Sequence, residues 1–141
     1  MKYVLDSSVA LKWVLAEADS ARAVRLRDEY KNGVHTLLAP DISLPEIANG
    51  LASAERQGRI KTGESAVLLL DVVRTAPTIH ARPPLLLRAM ALAIATRRAV
   101  YDCAYLALAE TEGCELVTAD DQFARGLRPA YPFIVSLAAL P

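Results

Sequence analysis

Short apolar runs alternate with longer amphipathic stretches along the whole chain. Lys2–Leu5 is an apolar strand that stops at Asp6-Ser7-Ser8, a group of good capping residues, and Val9–Ala16 reads as the helix that follows. From Ala18 to Lys31, Arg22, Arg25, Asp28 and Glu29 are set against Ala21, Val24 and Leu26, and Asn32-Gly33 ends the helix. Thr36–Ala39 is a second short strand, closed by Pro40. Ser43-Leu44-Pro45-Glu46 opens a helix that runs to Gln57, and Gly63 or Glu64 opens another that runs through Arg74. Thr78–His80 reads as a third strand, weakened by Pro77 and Pro83-Pro84. Helices over Leu85–Thr96 and Tyr101–Glu112 precede a strand at Glu115–Thr118, a short helix at Asp120–Arg125 and a last strand at Phe133–Val135.

Strands separated by helices imply βαβ units and a parallel sheet, so residues 1–141 read as one α/β domain with helices in the majority. Two helices are unusually apolar. Glu64–Arg74 leaves a wide apolar face from Val67 to Val73, and Leu85–Thr96 carries only Arg88 as a charge. Each needs cover on more than one side, either within the monomer or from a second copy. With 53% hydrophobic residues and a mean hydropathy of +0.24, the chain is expected to be a soluble oligomer. The apolar runs are broken by charges before reaching membrane-spanning length, and Asp6 interrupts the first run too early for a signal peptide. Sixteen basic and sixteen acidic residues cancel, so nucleic-acid binding would need a local patch. Cys103 and Cys114 fit neither a disulfide framework nor a metal-ligand spacing, and read as reduced core thiols of a cytoplasmic protein.

The candidate chemistry lies in four acidic residues placed where strands give way to helices or where helices begin: Asp6, Glu46, Asp102 and Asp120. Each has a structural explanation. Asp6 can cap the following helix, Ser43 and Glu46 have capping-box spacing, Asp102 favours a helix macrodipole, and Asp120 or Asp121 can cap the helix through Phe123. Taken together they suggest more. Ligands bind at the carboxyl ends of parallel strands where the winding reverses, and Asp6 and Asp120 follow two such strands. Clustered carboxylates raise one another's pKa, and a divalent cation removes that penalty. Hard oxygen donors without thiolate or imidazole favour Mg²⁺ or Mn²⁺.

These residues resemble the PIN-domain ribonucleases and, within them, the VapC-type toxins of toxin–antitoxin pairs. Tyr3-Val4-Leu5-Asp6-Ser7-Ser8-Val9-Ala10-Leu11-Lys12-Trp13 looks like the family's opening strand and first acidic residue. Pro45-Glu46-Ile47-Ala48-Asn49 is similar to its second motif, Tyr101–Ala109 to its third, and Leu116–Phe123 to its fourth. The four stand in family order over essentially the whole chain. The resemblance implies a three-layer fold with a central parallel sheet of four to five short strands flanked by helices. It also implies Mg²⁺- or Mn²⁺-dependent cleavage of RNA, a homodimer and a cognate antitoxin. Carried over, Asp6 and Asp102 are metal ligands, and Glu46 and Asp120 complete the site directly or through water. Ser8 and Thr118 orient the carboxylates or the water, and Asp121 is the alternative to Asp120.

Hydrolysis of this kind leaves a 5′-phosphate and a 3′-hydroxyl. His35 and His80 lie outside the acidic motifs; a histidine mechanism would tolerate chelation and give a cyclic phosphate. Arg97-Arg98, with Arg82, Arg88, Arg125 and Arg128, forms a candidate basic rim for RNA, and Trp13 and Tyr101 are candidates for base stacking. An aspartyl phosphatase needs a second acid where Ser8 stands, and a receiver domain needs a late lysine, whereas no lysine follows Lys61. The remaining alternative is an inactive PIN-like module that binds RNA or a partner.

Overall fold

A computed structural model describes residues 1–141. Five parallel strands form its centre: β1 (Lys2–Leu5), β2 (Thr36–Pro40), β3 (Thr78–His80), β4 (Glu115–Thr118) and β5 (Ile134–Ser136). Their spatial order is β3-β2-β1-β4-β5. β1 is central, pairing Val4 with Leu38 on one side and with Leu116 on the other. The proline-flanked Thr78–His80 segment is a true strand, tolerated because it lies at the sheet edge.

The helices are α1 (Ser7–Leu11), α2 (Ser20–Lys31), α3 (Ser43–Arg56), α4 (Glu64–Val73), α5 (Pro83–Thr96), α6 (Val100–Glu112) and α7 (Asp121–Leu127). Right-handed crossovers put helices on opposite faces when the winding direction reverses, and the order reverses after β3. Accordingly α1–α4 pack with Tyr3, Leu5, Leu37 and Val117 on one face. α5–α7 pack with Val4, Leu38, Leu116 and Ile134 on the other. In the central strands β1, β2 and β4 adjacent residues thus point to opposite layers and both are buried, which is why these strands read as apolar runs.

Several elements differ from the sequence expectation. α1 ends at Leu11 instead of Ala16, because Ser20 Oγ donates to the Leu15 carbonyl (2.9 Å) and accepts from Glu17 N (2.9 Å), holding the chain in an irregular turn. That turn buries Trp13, whose ring lies 5.0 Å from the Arg27 guanidinium. α5 begins at Pro83, as proline's fixed φ allows in a first turn. α7 runs two residues beyond Arg125, and β5 is shifted one residue later. Cys103 is fully buried but Cys114 only partly; both are free thiols. The apolar faces of α4 and α5 are not enclosed. Val67, Leu70 and Val73 on α4, and Leu86, Leu87, Met90 and Ile94 on α5, are exposed, Ile94 to 76%. No helix is long and apolar enough to cross a membrane.

Candidate acidic site

The sheet reverses its winding between β1 and β4, and Asp6 and Thr118–Asp120 leave the carboxyl ends of those two strands. Asp6 N donates to the Val117 carbonyl (3.0 Å), tying the end of one strand to the other. Asp6 occupies the N-cap position of α1 but makes no side-chain cap bond. Its Oδ2 instead accepts from Ser8 Oγ (2.5 Å) and Thr118 Oγ1 (2.9 Å). Those hydroxyls are themselves fixed, Ser8 Oγ accepting from Ala119 N and Thr118 Oγ1 from Asp120 N, both at 3.0 Å. Each hydroxyl donates to Asp6, and each hydroxyl oxygen accepts from one backbone amide. Asp6 Oδ1 has no hydrogen bond from the protein.

Glu46 lies in the first turn of α3, yet the expected capping box does not form: Ser43 makes no cap bond, and Ile42 occupies the cap position. Glu46 Oε1 accepts instead from Tyr105 Oη (2.6 Å) and Ser7 Oγ (3.3 Å). A partner 59 residues away outcompetes the local one. Asp102, in the first turn of α6, makes no side-chain hydrogen bond. Asp120 does cap α7, its Oδ1 accepting from Phe123 N (3.0 Å), and its second oxygen is free. Asp121 turns toward Ser136 of β5, 3.5 Å away.

Burial pushes the Asp6 carboxyl above the usual range; the Ser8 and Thr118 hydrogen bonds oppose this, and the charges of Asp102 and Asp120 add to it. Glu46 is raised first by burial, against its bond from Tyr105, and further by Asp6 and Asp102. Asp102 is raised by burial and by Asp120, with Arg98 pulling the other way. The four carboxylates therefore share one electrostatic neighbourhood. Sequence reasoning missed Tyr105 and Ser7. Tyr105 was signalled by its place three residues after Asp102, which puts both on one side of α6. Ser7, Glu46, Asn49 and the 60%-exposed Tyr101 also line a cleft of about 460 Å³.

Other candidates lie elsewhere. Trp13 is only 7% exposed, too buried to stack on a base. Arg88 pairs with Glu110 and Arg82 lies near Glu112, so neither joins a rim around the acids. His35 pairs with Glu29 and His80 approaches Glu112. As for a divalent ion, the donor chemistry fits: Asp6 Oδ1, Glu46 Oε2, both Asp102 oxygens and Asp120 Oδ2 are hard donors not used by the protein. No three of these groups stand close enough to form a finished ligand set.

A parallel sheet with clustered carboxylates at its switch point defines a class of α/β proteins, and the comparisons say which. The PIN domain family model matches residues 3–126, and the chain belongs to the PIN-domain family. It is 34% identical over 126 residues to Ribonuclease VapC3 of Pyrobaculum aerophilum, spanning 88% of this chain and 93% of that one. Among solved structures, PAE2754 of Pyrobaculum aerophilum superposes with a TM-score of 0.70 at 21% identity, over 98% of this chain and 93% of that one. VapBC2 of Rickettsia felis, bound to a promoter DNA fragment, superposes at 0.62 and 18% identity, over 96% and 97%. Mycobacterium tuberculosis VapC20, described as a sarcin-ricin loop cleaving toxin, gives 0.60 at 15% identity, over 87% and 93%.

Proposed function

We propose that this protein is a Mg²⁺- or Mn²⁺-dependent endoribonuclease and the toxin of a toxin–antitoxin pair, working in the cytoplasm as a homodimer. The observation that carries the reading is the set of unused carboxylate oxygens at the switch point between β1 and β4. The relative named Ribonuclease VapC3 supports the reaction class, and the VapBC2 complex supports an antitoxin partner. When bound, the divalent ion supplies neutralisation of the phosphate charge and acidification of the attacking water.

The protein's own groups position the reactants. Ser8 and Thr118 hold Asp6 by Oδ2, leaving Oδ1 for the ion. Tyr105 and Ser7 hold Glu46 by Oε1, leaving Oε2 to orient the attacking water and accept its proton. A carboxylate of raised pKa is the better base for that transfer. Asp102 and Asp120 complete the ion's donor set. The exposed apolar faces of α4 and α5 are surfaces for a second copy and for an antitoxin.

The test is cleavage of a panel of structured RNAs with Mn²⁺ or Mg²⁺ against EDTA, by wild type and Asp6→Asn. Metal-dependent cutting that the substitution abolishes, with 5′-phosphate and 3′-hydroxyl ends, is the expected result. Cutting indifferent to both EDTA and the substitution would overturn the metal-site reading, and cyclic phosphate ends would overturn the hydrolytic route.

A further inference from the structure

One arginine beside the start of α6 is held in place without an ion-pair partner. Arg98 stands just before α6, four residues ahead of Asp102, and its charge acts on that carboxyl. No carboxylate oxygen lies within 4.0 Å of it, since the close ion pairs of the molecule use Lys2, Lys12, Arg22, Arg27, Arg59, Arg82, Arg88 and the two histidines. Arg98 also donates no side-chain hydrogen bond to the protein. Its guanidinium carbon instead lies 5.3 Å from the centroid of the Phe123 ring. At Gly126, one turn along α7, an added Cβ would sit 2.6 Å from Arg98 Nη2. Arg97, the last residue before it, takes a left-handed conformation (φ 59°), rare for a residue with a side chain, and so turns the chain out of α5. The side chain is thus seated between an aromatic face and a glycine, with its donors unused.

We propose that Arg98 is a phosphate-binding residue of this site, seated by Phe123 and Gly126 to grip the RNA backbone beside Asp102. The inference rests on the nuclease reading and names a residue that makes the substrate's approach possible. A phosphodiester entering among four carboxylates meets repulsion, and a guanidinium presents a planar fork that fits two phosphate oxygens. An arginine serving only to neutralise Asp102 would close on it, as Arg88 closes on Glu110 at 2.7 and 3.0 Å. Arg125 on α7 and Arg128 just after it, both also outside any ion pair, line a cleft with Asp121 and Ser136.

The test measures binding of a fluorescein-labelled single-stranded oligoribonucleotide in EDTA over a series of salt concentrations, beside metal-dependent cleavage. Arg98→Ala should weaken binding about tenfold, the scale of one charge-assisted hydrogen bond. It should also lower the slope of log affinity against log salt by about 0.7, one phosphate contact on a single strand. KM should rise with it, and Mn²⁺ affinity should not fall. Arg98→Lys should restore the slope but not the full affinity. Gly126→Ala keeps the charge and favours the helix, but displaces the guanidinium; it should weaken RNA binding without loss of thermal stability. If the wild type cuts RNA while Arg98→Ala and Gly126→Ala match its affinity and slope, the proposal is wrong and the nuclease reading stands. If Arg98→Ala only lowers the melting temperature, Arg98 merely packs on Phe123. If the wild type neither binds nor cuts RNA, both readings fall.

Discussion

Helix α6 carries Asp102 in its first turn and Glu110 and Glu112 in its last, and its two ends treat a carboxylate in opposite ways. At the end, Arg88 grips Glu110 with two hydrogen bonds, and Lys2, His80 and Arg82 gather around Glu112. These cations hold both carboxyls below the usual range, mainly through the hydrogen bonds of Arg88 and Lys2. At the start, Asp102 has no hydrogen bond, and burial raises it despite Arg98. Asp6 and Glu46 are raised in the same way. A carboxylate that serves the fold is given a cation; those buried among their own kind are the ones the proposed function assigns to the ion.

The largest effect should come from neutralising the starved end. Asp6→Asn or Asp102→Asn should reduce metal-dependent cleavage by more than about 100-fold, the upper range for a group that merely supports a metal ligand. Asp6→Asn should also raise the stability of the protein in EDTA, by about 1 kcal/mol, because a destabilising buried charge is gone, and Asp102→Asn should do so by less, its carboxyl being half-exposed and screened by solvent. Loss of activity with gain of stability, read by cleavage kinetics and denaturant unfolding, separates these carboxylates from Glu110 and Glu112. A loss of both would place Asp6 among the structural acids.

Next come the hydroxyls that discipline Asp6. Thr118→Val is close to isosteric at a fully buried position and removes one of the two bonds to Oδ2, together with the acceptor for Asp120 N. Cleavage should fall by about 10- to 100-fold, with weaker Mn²⁺ binding, as for a lost supporting partner of a metal ligand. Since the hydroxyl favours the ionised form, its removal raises the Asp6 carboxyl further, and raising the pH should recover part of the metal affinity. A pH-independent loss would mean that Thr118 acts by packing alone. Tyr105→Phe removes the 2.6 Å bond to Glu46 and should reduce cleavage by about tenfold, at the lower end of the same range, with RNA affinity little changed.

The contrast between the two ends of α6 was only half legible in the sequence. Carboxylates at strand ends mark a switch point, because an all-parallel sheet must place them on one edge, and the adjacency of β1 and β4 delivers Asp6 beside Thr118 and Asp120. The exceptions come from contacts distant in sequence. Ser43 and Glu46 carry the local pattern of a capping box, but nothing in that segment announces Tyr105, which captures Glu46. The run Val9–Ala16 is as apolar as a helix, yet the turn held by Ser20 ends it early so that Trp13 can enter the core. In the basic rim, Arg88 and Arg98 looked alike along the chain. Only the fold gives one a carboxylate and the other an aromatic ring. The apolar faces of α4 and α5 show the limit of pattern reading, since hydrophobicity says that cover is needed and not what supplies it.

The smallest effect, and the one that probes the comparison most evenly, is the pH dependence of stability in EDTA. A carboxyl whose folded pKa is raised binds its proton more readily in the folded state, so stability should rise as pH falls from neutral toward the ordinary carboxylate range. Asp6, Glu46 and Asp102 all push in that direction. A carboxyl whose folded pKa is lowered stabilises only while ionised, so below its ordinary value of 4.5 the contributions of Glu110 and Glu112 are lost as pH falls. The melting temperature should therefore peak at mildly acidic pH, with each limb belonging to a different end of α6. Asp6→Asn should flatten the neutral limb and leave the acid limb alone. Glu110→Gln should do the reverse, more weakly, because its ion pair is solvent-exposed, and should leave cleavage within about twofold of wild type. If Glu110→Gln changed the neutral limb or the cleavage rate, the two ends of α6 would be coupled, and the division between structural and functional carboxylates would fail.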